Sequence, residues 1–259
     1  MARTLKITLS YDGTRYVGWQ RQASGESVQG LLEEAVARFE GNAVSAQGAG
    51  RTDAGVHALG QVASVQVTCG HPVETMARGL NAWLPPDVRV IKVEDAAEGF
   101  HARFSARSKT YRYLLRNASP VSPFERAYVW HVPETLDVSP MQTAATVLVG
   151  THDFSSFCSA GSNVRGSVRT VSRSIIDYIE ADLVPYISTR EEHTLLAYEV
   201  SANGFLRHMV RAIVGTLVEI GQGRRSAASM VKLLERGNRA EAGATAPPHG
   251  LFLVAVDYD

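Results

Sequence analysis

Leu5, Ile7 and Leu9 alternate with Lys6, Thr8 and Ser10, the period of a half-buried strand, and the run ends in the turn-forming residues Tyr11-Asp12-Gly13-Thr14. The period then changes. Val28, Leu31, Leu32, Ala35, Val36 and Phe39 recur at spacings of three and one, which predicts a helix with Ser27 as N-cap and Gly41 as its stop. Residues 61–68 read as a strand with Ala63, Val65 and Val67 on one side. Pro72 opens a helix carrying Val73, Met76, Ala77 and Leu80, Pro85-Pro86 stop it, and residues 88–93 return as a strand. Two rounds of strand, helix and strand make an α+β unit.

The polar, then basic stretch 94–108 is the best boundary, giving expected domains over 1–105 and 106–259. A second round follows with strands at 109–115 and 128–132 and a helix at 138–148. Residues 161–166 read as a loop and 175–179 and 195–200 as strands. A long helix is expected from Phe205 to about Ile220, with Phe205, Leu206, Met209, Ile213 and Leu217 on one side and Arg207 and Arg211 on the other. A helix near 226–235 and a last strand at 251–256 close the chain. The two halves share a similar element order.

Charge changes this picture only through its distribution. The chain has 26 Lys and Arg against 26 Asp and Glu, so net charge does not advertise a nucleic-acid partner. Between Phe100 and Arg126, however, stand Arg103, Arg107, Lys109, Arg112, Arg116 and Arg126 against Glu125 alone, interleaved with aromatics. Cys69 and Cys158 lack the paired spacing of a zinc or redox site, which suits reduced thiols in the cytoplasm. The first residues carry no apolar leader, and Arg211 and Glu219 interrupt the run 209–220, so no signal peptide or membrane span is expected.

Candidate chemistry concentrates in Gly48-Ala49-Gly50-Arg51-Thr52-Asp53-Ala54-Gly55-Val56-His57-Ala58. Small residues crowd around one Arg and one Asp, as where a backbone bends tightly and presents a few polar groups. The plainest reading is turn geometry, with Asp53 forming an Asx turn or capping a short helix. A dinucleotide fingerprint fails because its third glycine would fall on Asp53 and a strand follows; a P-loop fails because Val56-His57 follow Gly55. Asp53 as nucleophile or base would need to stay ionised, which a guanidinium from Arg51 or Arg211 would favour. Gly215, one turn past Arg211, would admit another backbone. Tyr111, on a predicted strand beside Lys109 and Arg112, could stack on a base while the cations hold phosphates, or could be a cross-strand residue. His57, His101 and His208 lack metal-ligand spacing, so no metal is expected.

The segments Tyr11-Asp12-Gly13-Thr14, Gly18-Trp19-Gln20-Arg21-Gln22, Gly50 through Ala58, Lys109-Thr110-Tyr111-Arg112-Tyr113, His152 through Phe157, Phe205 through Arg211 and Gly250-Leu251 together resemble the tRNA pseudouridine synthase A family. The resemblance runs from the first strand to the last. Ala212 departs from it, since many members carry Asn there. It implies an isomerase of uridine in the anticodon stem-loop of tRNA, around positions 38, 39 and 40, working without a cofactor. It further implies two RRM-like (ferredoxin-like) α+β halves with antiparallel sheets side by side around a cleft, and a homodimer. Residue by residue, Asp53 matches the catalytic aspartate, Tyr111 the tyrosine packed on the target base, Arg51 an arginine beside the aspartate and Arg211 its helix-borne ion partner. A non-catalytic RRM-like RNA-binding module would leave Asp53 without work, and residues 109–113 lack the RRM aromatic pattern. A glycosidase-like hydrolase would want a second carboxylate near Asp53, and none lies near it in sequence.

Overall fold

The computed structural model describes residues 2–117, 121–159, 166–179 and 195–258. Its elements run β1 (Arg3–Tyr11), α1 (Val28–Glu40), β2 (Ala46–Gly48), β3 (His57–Val67), α2 (Val73–Trp83), β4 (Val88–Asp95) and β5 (Ser108–Arg116). They continue as β6 (Trp130–His131), α3 (Val138–Thr146), β7 (Gly150–Asp153), β8 (Val168–Tyr178), β9 (Leu195–Ala202), α4 (Met209–Gly221), α5 (Ser229–Arg236) and β10 (Leu251–Asp257). The fold is mixed α/β with a multi-stranded sheet in each of two compact units. One comprises residues 1–109 with 252–259, the other 110–251, so the last strand counts with the first unit, whereas the expected second domain ran on to 259.

In the first unit β1 lies between β4 and β3, antiparallel to both, with Ile7 opposite Ala63 on one side and Val93 on the other. Alternation along β1 sends Leu5, Ile7 and Leu9 fully inside. The far side of β3 is shared: β2 pairs along Ala63 to Val65, and β10 pairs in parallel at His57 and Ala58. Helix α1 begins and ends where its caps dictate. Ser27 accepts the Gly30 N–H, and Gly41 adopts φ 71°, the left-handed geometry that releases the chain. Glu40, its last residue, then clamps the end of β3, accepting N–H bonds from Thr68 at 2.8 Å and Cys69 at 2.7 Å and the Thr68 hydroxyl at 2.8 Å. These donors, the Cys69 N–H foremost, pull the carboxyl down to about 2.

In the second unit the strand order is β5-β9-β8-β7, with β6 paired in parallel to β5. Helix α3 packs on β8 and on α4. Several elements differ from the sequence expectation. Helix α4 starts at Met209 instead of Phe205 because His208 has φ 61°, which an α-helix cannot contain, so Arg207 lies off the helix. Every α4 residue except Arg211 and Glu219 is buried, so the helix is a core element and not a two-faced one. The 128–132 strand shrinks to two residues, β8 begins at Val168, and β2 and β7 are too short to show alternation. The loop expected at 161–166 lies, apart from Gly166, outside the described residues. Among the described residues no helix is long and apolar enough to cross a membrane.

Because Glu40 is more acidic folded than unfolded, its contribution is present above about pH 4.5 and fades as pH falls toward 2. Glu40→Gln is expected to cost about 1 kcal/mol at pH 7, discounted for solvent exposure, and less than half of that at pH 3. Urea titrations of both proteins at the two pH values check this; an equal cost at both would remove the charge from the explanation.

Candidate active site

Between β2 and β3 the chain makes the turn 49–56. Ala49 N–H donates to Val62 O at 2.7 Å, and Val56 N–H closes the turn on Asp53 O at 3.1 Å with Gly55 at φ 77°. Thr52 is buried, Asp53 half-buried and Arg51 exposed. The turn is seated on the segment that follows β1. Trp19 N–H donates to Thr52 O at 3.1 Å, and Gly13 N–H donates to His57 Nδ1 at 3.0 Å. The approach is backbone to backbone: a Cβ on Gly13 would lie 2.0 Å from Val56 O, and one on Gly18, at φ 103°, 2.4 Å from Thr52 O. Only glycine admits both contacts. The Trp19 indole fills the space beside Gly48, where a Cβ would meet Nε1 at 2.4 Å.

Beneath the turn lies a buried polar chain. Gln61 Nε2 donates to Gly50 O at 2.9 Å and to the Tyr11 hydroxyl at 3.4 Å, and the Tyr11 hydroxyl meets Thr52 Oγ1 at 2.8 Å. Burial pushes the Tyr11 phenol up to about 12, so it keeps its proton. His57 accepts the Gly13 N–H on Nδ1, which therefore carries no proton. Asp12 Oδ1 also stands 3.1 Å from that nitrogen, and it accepts the Thr14 N–H at 2.9 Å. Phe252 stacks on the His57 ring at 4.8 Å and 21°. Tyr11, Thr52, His57 and Gln61 were not singled out from sequence for this role. The available signal was polar residues at inward positions of an otherwise apolar strand.

Arg51, expected beside Asp53, makes no ion pair or side-chain hydrogen bond among the described residues, and its guanidinium is left toward solvent. The other two candidates belong to the second unit. Tyr111, on β5, is 7% exposed, and Phe205 meets its ring edge-on at 4.9 Å and 81°. Arg211, on α4, is held at both ends of its residue: Nε donates to Ala246 O at 2.8 Å, and Ala246 N–H donates to Arg211 O at 3.1 Å. The close approach expected at Gly215 is made by this same segment, since a Cβ there would lie 1.7 Å from Ala244 O. Burial, reinforced by the Arg211 charge, holds the His249 imidazole below its usual range. The basic run is partly spent internally, with Arg112 on Glu199 at 2.7 Å and Arg116 on the buried Glu125 at 2.6 Å. Among the described residues no three His, Cys, Asp or Glu side chains are grouped to hold a metal ion.

Residues 7–105 and 144–259 match the family model described as tRNA pseudouridine synthase. The chain is 41% identical over 256 residues to tRNA pseudouridine synthase A of Acetivibrio thermocellus, covering 99% of this chain and all of that protein. It is 43% identical over 260 residues to tRNA pseudouridine synthase A of a Geobacillus species, covering both chains in full. Among solved structures, the archaeal box H/ACA sRNP Nop10-Cbf5 complex aligns over 83% of this chain and 44% of that one, at 11% identity and TM-score 0.33.

The close approach at Gly18 makes a direct expectation. Gly18→Ala should lower unfolding free energy by about 2–4 kcal/mol, whereas Gly70→Ala, with open space around its Cβ, should stay within about 0.5 kcal/mol. Equal midpoints in urea for the two variants would contradict the seating of the turn on Gly18.

Proposed function

The chain belongs to the tRNA pseudouridine synthase family, an isomerase acting on uridine in tRNA, and from that premise we propose that it modifies the anticodon stem-loop around positions 38, 39 and 40 with Asp53 as its catalytic group. The observation that carries the assignment is the 49–56 turn, in which the backbone around Asp53 is fixed from outside by Gly13, Gly18 and Trp19 and from beneath by Tyr11 and Gln61. A carboxylate held on so constrained a backbone is preorganised, which is what a reaction at a single sugar carbon requires.

The reaction breaks the C1′–N1 bond of uridine, turns the detached base and joins C5 to C1′. C5 gives up its proton, N1 gains one, and no group enters or leaves overall. The target base is stacked in its stem or loop and must be extruded at a cost of a few kcal/mol. Phosphate contacts and an aromatic surface offset that cost. Attack on C1′, addition to the pyrimidine ring and removal of a sugar proton all demand Asp53 as the anion.

Tyr111 packs on the target base in this reading. Its ring is braced by Phe205, so it has little rotamer freedom to lose. Arg211, whose side chain is fixed by Ala246, and the exposed Arg51 supply positive charge to the RNA in this reading. The reading includes two RRM-like halves. It is supported by the first unit's sheet, in which β4, β1, β3 and β2 are neighbours in that order with α1 and α2 as the connecting helices. It also includes a homodimer working in the cytoplasm.

Asp53→Asn should lower pseudouridine formation by at least about 10³-fold while tRNA affinity stays within about threefold. Near wild-type turnover in that variant would refute the assignment. Tyr111→Phe should remain active, because stacking uses the ring and not the hydroxyl, and Tyr111→Ala should lose most activity in a single-turnover assay; an active alanine variant would remove the stacking role.

A further inference from the structure

Ala102 is fully buried in the first unit, its N–H donating to Ser64 Oγ at 3.1 Å and its carbonyl accepting from the Tyr258 hydroxyl at 2.7 Å. From that anchor the chain makes one closed turn. Ser105 N–H donates to His101 O at 2.9 Å, His101 N–H to Ser105 Oγ at 3.1 Å, and Arg103 N–H to His101 Nδ1 at 3.1 Å. A turn tied at so many points is rigid, yet it leaves Phe104 77% exposed. The His101 ring lies 4.4 Å from the Phe104 ring, and the Arg103 guanidinium 5.6 Å from its centre. Holding a large apolar ring in water is unfavourable, and the fold itself gains little from it.

The charges around the turn have the same one-sided character. Residues 99–116 contain no Asp or Glu. Arg112 and Arg116 are paired as described above, but Arg103, Arg107 and Lys109 make no ion pair or side-chain hydrogen bond among the described residues. Lys109 is only 8% exposed, and the neighbouring Arg103 charge adds to burial in holding its ammonium below the usual range. Arg103, exposed beside the Phe104 ring and with no acid partner among the described residues, is left to meet an anion from outside. Beside the turn opens a polar groove of about 410 Å³, lined by Phe100, His101, Ser45, Gln47, Gln66 and Asn42 among others, and sharing no residue with the 49–56 turn. Its one lining carboxylate, Glu40, is engaged by Thr68 and Cys69. That volume is of the order a nucleoside requires.

We propose that the 101–105 turn is an RNA-binding subsite apart from the isomerisation turn, where one unstacked nucleotide of the tRNA lays its base on Phe104 and its phosphate on Arg103. The proposal rests on tRNA being the substrate. An aromatic ring flanked by unpaired cations is the combination that holds single-stranded RNA without reading its sequence, since every base has a π-face and every nucleotide a phosphate.

The test is equilibrium binding of an unmodified tRNA transcript to the full chain, with pseudouridine formation and molar mass measured on the same preparations. Phe104→Ala should raise Kd and the KM for tRNA about tenfold, with the loss in KM and not in kcat, and Phe104→Trp should restore binding. Arg103→Gln should flatten the slope of log K against log salt by about one contact. Melting temperatures should not change, given the exposure of Phe104. An alanine variant that binds as tightly as the parent, or a tryptophan variant no better than alanine, overturns the subsite. Lost binding accompanied by halved molar mass also overturns it, assigning Phe104 to contact with a second copy. If the parent protein forms no pseudouridine, the catalytic reading fails, and the binding arms still decide the subsite independently.

Discussion

The constraint on which the 49–56 turn depends is the contact of two backbones without side chains between them. Gly13 and Gly18 bring the segment after β1 to within a missing Cβ of Val56 O and Thr52 O, and the Trp19 and Gly13 amides donate into the turn and into His57. Backbone contacts of this kind are stiff because no rotamer can yield. In the proposed reading Asp53 benefits from that stiffness, since reorganisation during the reaction would subtract from the rate.

The polar layer beneath the turn follows from the same requirement. A turn pressed onto a sheet buries backbone carbonyls that water no longer reaches, and these must find donors inside. Gln61 serves Gly50 O and the Trp19 N–H serves Thr52 O, while the Tyr11 hydroxyl meets the Thr52 hydroxyl. In the second unit the same device recurs around Arg211, where Gly215 admits the 243–247 segment and Ala246 both donates to and accepts from the arginine residue. Close backbone approach at a glycine, with backbone hydrogen bonds beside it, thus recurs at Asp53 and at Arg211.

Much of this was legible in the sequence where the cause is local. Ser27 and Gly41 bound α1 because capping is decided by a few neighbouring residues. The Arg51 to Ala58 signature marked the turn, and Gly215 its close contact. What escaped was set by partners far away in the chain. Gly13 and Gly18 look like ordinary turn formers until Val56 and Thr52 are beside them. Arg112 and Arg116 looked available to RNA until Glu199 and Glu125 were found against them. Helix α4 lost its first turn to the left-handed backbone of His208, which no hydrophobic period reports. The pairing of β10 with β3 joins residues far apart in the chain, beyond the reach of any window.

The chemistry itself has a mass balance that distinguishes it from base hydrolysis or simple binding. A tRNA transcript carrying tritium at C5 of its uridines, incubated with the protein, should release one equivalent of tritium to water for each pseudouridine formed, with no free uracil. Free uracil with an abasic site, or tightly bound tRNA that releases no tritium, would contradict isomerisation at the Asp53 turn.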